Sequence, residues 1–136
     1  MQKYECVLQD GPKECGLCAL LTIIKTYKGN VSKEYLRNLT NTTSNGVNAL
    51  ELMEAGKKLG FYTKGVNGDV TKIEDRFLPC IAHVIIDNKY KHFVVIHKID
   101  RKNNNIIIAD PSRGVIKIDI DKFKTISTGN YLYFHS

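Results

Sequence analysis

After Pro79 the chain changes its hydrophobic period, and that change constrains the fold more than any other feature. Before it, apolar residues recur at three- and four-residue spacing. Ala19, Leu20, Ile23, Ile24 and Tyr27 share one face of a helix that starts at Cys15 and is closed by Gly29. "SKEYLRNLT" fits a second, short helix with Ser32 as its N-cap. A third has Asn48 as cap, Glu51 three residues on to complete a capping box, Gly60 at its end, and Leu52, Ala55 and Leu59 inside. Beyond Pro79 come short runs rich in valine and isoleucine, "CIAHVII", "HFVVIHKI", "NIIIAD" and "VIKIDI", separated by "DNKYK", "DRKNN" and "PSRG". These predict antiparallel strands joined by hairpins, then a turn of helix around "DKFKTI" and a closing strand at "NYLYF". In the first half "YECVLQ" alternates like a strand, "TNTTSNG" reads as loop, and "FYTKGVNGD" as a strand into a glycine turn. "VTKIEDRFL" reads as a weak helix stopped by Pro79. Helices first and an antiparallel sheet after them is the pattern of an α+β domain, with a cleft where the two meet.

The 136 residues are expected to form one domain, 1–136, with a buried core. Lys and Arg exceed Asp and Glu by 20 to 14, a net charge of +6. The basic residues are spread along the whole chain, without a run of five like charges or a basic stripe interleaved with aromatics, so nucleic acid is not an expected partner. No apolar run approaches a membrane span, and the N-terminal stretch carries acids, glycine and proline where a signal peptide would be apolar. The chain by itself is expected to be soluble and monomeric. It contains no G-x-x-x-x-G-K-[ST], so no ATP site of that type.

Cys6, Cys15, Cys18 and Cys80 are read as free thiols, because a chain of this length and apolar content does not need disulfides. Cys15 and Cys18 form a C-x-x-C at the mouth of the first helix. A redox pair of that spacing would need a parallel strand–helix–strand setting, which the antiparallel pattern does not supply. A zinc site would need two more ligands at tight spacing. The remaining reading is a nucleophile. A helix N-terminus favours the thiolate, and Gly16 beside Cys15 removes bulk where a substrate backbone could approach. Cys18, among Leu17, Ala19 and Leu20, reads as a packing residue.

A thiolate nucleophile needs a base, and the base an orienting group. Of His83, His92, His97 and His135, His92 opens "HFVVI" after a polar turn, where a strand end meets a cleft. Asp110 closes "NIIIAD"; if the two runs form a hairpin, the return brings Asp110 beside His92. The alternative is an ordinary turn aspartate in "DPSRG". Gln9, six residues before Cys15, carries an amide that could stabilise an oxyanion together with the Cys15 backbone N–H. The ordered set of Gln9, Cys15, His92 and Asp110 is more specific than any of its members.

That order and spacing resemble papain-like cysteine peptidases, and more closely the bacteriocin-processing peptidase domain at the N-terminus of peptidase-containing ABC transporters. "LQDGPKECGLCAL" resembles that family's Gln-x-x-x-x-x-Cys-Gly segment, "HFVVIHKI" its catalytic-histidine strand and "ADPSRG" its Asp-Pro-x-x-Gly turn. "NALELMEAGKKLGF" and "LPCIAHVI" are similar to its third helix and to the strand leading to the histidine. Glu14 departs from the aspartate that often precedes the nucleophile, a difference of turn geometry more than of chemistry. The resemblance implies a papain-like α+β fold and removal of an N-terminal leader from a ribosomally made peptide after a double-glycine-type motif. It implies Cys15 as nucleophile, His92 as base and later acid, Asp110 as orienter and Gln9 as oxyanion donor, with no cofactor and no metal. Implied partners are a precursor peptide with a helical leader, and the transmembrane and ATPase parts of an exporter on the cytoplasmic side of a membrane. Two other functions are weighed against this one: an idle leader-docking module, and a thiol oxidoreductase using Cys15 and Cys18.

Overall fold

The computed structural model describes residues 3–40 and 46–136. Most of the expected loop "TNTTSNG" lies outside the described residues. Helix α1 (Cys15–Thr26) is followed by α2 (Lys33–Leu39), α3 (Ala49–Lys58) and strand β1 (Tyr62–Asn67). Strands β2 (Cys80–Ile86), β3 (Tyr90–Asp100), β4 (Asn105–Asp110) and β5 (Gly114–Asp119) come next, then α4 (Ile120–Ile126) and β6 (Ser127–His135).

Local chemistry accounts for most of these boundaries. Ser32 caps α2 by accepting from Tyr35 N at 3.0 Å. Asn48 and Glu51 form the expected capping box on α3, each side chain accepting from the other's backbone N–H. Helix α1 ends at Thr26, with Lys28 rather than Gly29 in the left-handed region (φ 68°). Between β2 and β3, Asp87 and Asn88 both take positive φ (55° and 56°), the geometry that matches a tight hairpin to strand twist.

Two expected elements differ. Residues 3–9 form no strand: their bonds go to scattered partners, Val7 N to Thr22 Oγ1 (3.0 Å), Gln9 N to Pro111 O (2.8 Å) and the Glu5 carbonyl from His97 Nε2 (2.8 Å). "VTKIEDRFL" forms two 3-10 turns, Val70–Lys72 and Asp75–Phe77. The Arg101 guanidinium takes the Thr71 and Ile73 carbonyls that a continuous helix would have used internally.

The sheet is antiparallel throughout, in the order β1-β6-β2-β3-β4-β5, so the last strand lies between the first and the second. Both faces are covered. Phe93, Val95, Leu132 and Phe134 pack with Leu17, Leu20 and Leu52 from the helices. Val94, Ile96, Ile106 and Ile108 pack on the other face with Phe123 of α4 and Tyr131. This explains why "FVVI" is apolar without alternation. A bulge at His97 restores the facing, so that Ile96 and Ile99 enter the same core three residues apart. Helix α1 is buried on all sides from Gly16 to Ile24 rather than on one face, because α2, α3, the sheet and the N-terminal segment enclose it.

Candidate active site

Cys15 is the first residue of α1, where the N–H groups of the opening turn lack intrahelical acceptors and favour negative charge. The His92 ring and the backbone N–H groups of Phe93 and Gly16 lie toward the sulfur and favour its thiolate. Burial pushes the thiol pKa up, but these groups outweigh it and leave the thiol below its ordinary value.

His92 is the third residue of β3 and only 7% exposed. Its Nε2 lies 2.7 Å from Asp110 Oδ1, which leaves Nδ1 for the Cys15 sulfur. Burial pulls the imidazole pKa down; Asp110 and Cys15 more than reverse this and push it up to about 9. A value near 9 favours the imidazolium at neutral pH, with one ring N–H on the carboxylate and the other turned toward the sulfur.

Asp110, the last residue of β4, is fully buried. The β3–β4 pairing sets Val95 opposite Ala109, so β4 ends near the start of β3. The hairpin return expected from sequence thus juxtaposes Asp110 and His92. Oδ1 accepts from His92 Nε2, Ser112 N (2.8 Å) and Ser112 Oγ (2.7 Å), and Oδ2 from Arg113 Nε (2.9 Å). Burial raises the carboxyl pKa, but these donors hold it well below the usual carboxylate range.

Gln9 is tied to the same turn through Gln9 N and Pro111 O at 2.8 Å. Its neighbour Leu8 accepts from Cys18 Sγ at 3.7 Å, so the segment also lies against α1. Gln9 Oε1 is buried without a hydrogen-bond partner among the described residues. A cleft of about 490 Å³ opens beside Cys15, walled by Val47, Ala49, Phe93 and Leu132 with Lys13 and Lys91 among its lining.

A family model described as the Peptidase C39 family matches residues 3–136. The chain belongs to the Peptidase C39 family. It is 36% identical over 129 residues to the lactococcin-G-processing and transport ATP-binding protein LagD of Lactococcus lactis subsp. lactis, covering 93% of this chain and 18% of LagD. It is 32% identical over 124 residues to the transport/processing ATP-binding protein ComA of Streptococcus pneumoniae, covering 88% of this chain and 17% of ComA. The chain thus spans less than a fifth of the length of these curated relatives. Among solved structures it resembles the peptidase domain of Streptococcus ComA, a bi-functional ABC transporter of a quorum sensing pathway (TM-score 0.89, 34% identity, 98% of both chains). It also resembles a double glycine motif protease from an AMS/PCAT transporter in complex with the leader peptide (TM-score 0.86, 29% identity, 97% of this chain and 91% of that one). The fold is the papain-like α+β fold of these cysteine peptidase domains.

In this C39 chain Cys18 is fully buried, and burial raises its thiol to about 11. Gly16 departs from its expected role. It does not open space for a substrate: a Cβ there would stand 3.3 Å from Phe93 Cδ2 and 3.4 Å from Leu52 Cδ1, so its bareness lets α1 seat against the sheet. His83 rests on Phe93 and bonds Thr128 Oγ1 at 3.2 Å, and His97 pins the N-terminal segment. Sequence reasoning did not reach Ser112 and Arg113 as partners of Asp110, though "DPSRG" offered the Asp-x-Ser spacing of a side-chain-capped turn. It also missed the anchoring of the "DGPKE" turn. Glu14 accepts from Asp10 N at 2.9 Å and pairs with Arg37 of α2 and with Lys33 (3.5 Å).

Proposed function

We propose that residues 1–136 form one peptidase domain that cleaves the N-terminal leader from a ribosomally made precursor peptide after a double-glycine-type motif, as part of a peptide exporter and on its cytoplasmic side. Cys15 is the nucleophile, His92 the acid and base, Asp110 its orienter and Gln9 the oxyanion donor. The observation that carries this reading is the 2.7 Å bond between His92 and Asp110, with Cys15 on the other side of the imidazole.

The Cys15 thiolate attacks the carbonyl carbon before the scissile bond. The oxyanion is met by the Cys15 backbone N–H and the Gln9 side-chain amide. The imidazolium of His92 passes its Nδ1 proton to the departing amine nitrogen, leaving a thioester. Water then gives a proton to His92 and attacks the thioester, releasing the leader acid and restoring the thiolate–imidazolium pair. The apolar walls of the cleft receive leader residues preceding the cut, so binding away from the scissile bond positions it over the sulfur.

The test is incubation of the chain and its Cys15→Ala variant with precursor peptides carrying double-glycine leaders, read by mass spectrometry. A single cut after the second glycine, absent in the variant, is expected. Binding without cleavage would replace this reading with an idle docking module. A thiol oxidoreductase is disfavoured, because the second cysteine it needs is fully buried and hard to ionise.

A further inference from the structure

Asp110 is held by more groups than a hydrogen bond to His92 requires, and the additional ones come from the two residues after Pro111. Oδ1 carries three donors, His92 Nε2, Ser112 N and Ser112 Oγ, while Oδ2 is met by Arg113 Nε. Pro111 fixes one backbone dihedral of this turn, and Arg113 N closes it on the Asp110 carbonyl at 3.0 Å. We propose that Ser112 and Arg113 are positioning residues for the His92–Asp110 pair: Ser112 fixes the direction of the carboxylate, and Arg113 sets how strongly that carboxylate holds a proton on His92. The inference rests on His92 being the acid and base of the reaction.

The two roles separate by atom. The oxygen facing His92 is the one that Ser112 holds twice, so its direction persists when Arg113 is changed. The other oxygen sees a full positive charge at 2.9 Å. That charge partly offsets the negative field of the carboxylate at the imidazolium, so the arginine moderates the basicity that Asp110 confers. The other titratable and charged groups around the pair are Cys15 on α1, His83 on β2, Lys91 on β3 and Cys6, whose Sγ donates to the Asp110 carbonyl at 3.6 Å. None of these is a cation fixed on the carboxylate. The Arg113 side chain is 54% exposed, so its field is open to salt screening.

The experiment is an NMR titration of the His92 ring, with its signals assigned by loss in His92→Gln, at low and high ionic strength. The parent, Arg113→Ala, Arg113→Lys and Ser112→Ala are compared, with Arg113→Gln in place of Arg113→Ala should that variant fail to fold. Loss of the guanidinium should move the His92 midpoint up by about half a pH unit at low salt and by less at high salt. The lysine variant, which keeps the charge, should stay within about 0.2 units of the parent. Ser112→Ala, which keeps the backbone donor, should lower kcat on a double-glycine peptide about 3- to 10-fold with KM unchanged. An unmoved or lowered midpoint without the guanidinium overturns the charge role, as does an equal shift in the lysine variant. An unchanged kcat in Ser112→Ala overturns the directing role. The titration needs no substrate, so a wrong peptide assignment would show as an inactive parent with the His92 shifts intact.

Discussion

Replacing Asp110 with asparagine tests the electrostatic logic of the site at its innermost member. The side chain keeps its size and one carbonyl acceptor but loses the charge that faces His92 at 2.7 Å. Burial disfavours the imidazolium, and Asp110 and Cys15 together reverse that and carry His92 from an ordinary 6.5 to about 9. If Asp110→Asn returns the ring to its ordinary value, the imidazolium loses stabilisation on the order of 3 kcal/mol. At pH 7.5 the protonated fraction of His92 then falls from about 97% to about 9%, so kcat/KM should drop roughly tenfold from protonation alone. Misorientation of the ring adds to this loss. The assay is kcat/KM on a double-glycine peptide from pH 5 to 10, with folding checked by circular dichroism. In the parent the alkaline limb should lie near 9; in Asp110→Asn it should move toward neutrality, and much of the lost rate should return on acidification. An alkaline limb that stays near its parental position would refute the reasoning, since Asp110 would then be doing no electrostatic work on His92. A variant as inactive as Cys15→Ala at every pH would remove the division between nucleophile and orienter.

Gly56→Ala places a Cβ 2.7 Å from Phe134 Cε1 and 2.9 Å from Thr63 Cγ2, where the ring is almost fully buried. Overpacking of about 1–3 kcal/mol should exceed the helix gain of about 1 kcal/mol, so urea unfolding should show net destabilisation, and a stabilised variant would contradict the packing described. Cys18→Ser should keep cleavage activity while costing about 1–3 kcal/mol, because the hydroxyl enters a site with a single long acceptor, Leu8 O. Loss of activity with folding intact would bring back a two-thiol chemistry. On the acid side, Asp110 has its pKa depressed on folding. Its contribution to stability is therefore fully present above the unfolded carboxyl value of about 3.9 and is lost as pH falls through the lower folded value. Urea midpoints measured from pH 5 down to pH 2 should fall more steeply in the parent than in Asp110→Asn.

Features that act over a few residues were legible without coordinates. The Asn48–Glu51 box, the Ser32 cap and the hairpin between β2 and β3 depend on backbone groups within reach of their own side chains, so the residue types announce them. The pairing of His92 with Asp110 was also readable, because a hairpin converts a sequence distance into a spatial one with little freedom. The failures share the opposite property. "YECVLQ" alternates like a strand, but whether it joins a ladder depends on an available edge, and its donors found Thr22 and Pro111 instead. The weak helix at "VTKIEDRFL" lost its carbonyls to Arg101, from a hairpin some thirty residues away.

By itself the sequence determined the α+β division, the helix start that exposes Cys15, and the order of thiol, imidazole and carboxylate, because periodicity, capping and turn chemistry are local energies written in neighbouring residues. Only the tertiary structure decided that β6 enters between β1 and β2, that Gly16 serves the seating of α1 against Phe93 and Leu52, and that Ser112 and Arg113 converge on the far side of Asp110. Those outcomes come from the fit of surfaces distant in sequence, where the partner is chosen by shape and unsatisfied charge once the core has closed, and no local pattern encodes it.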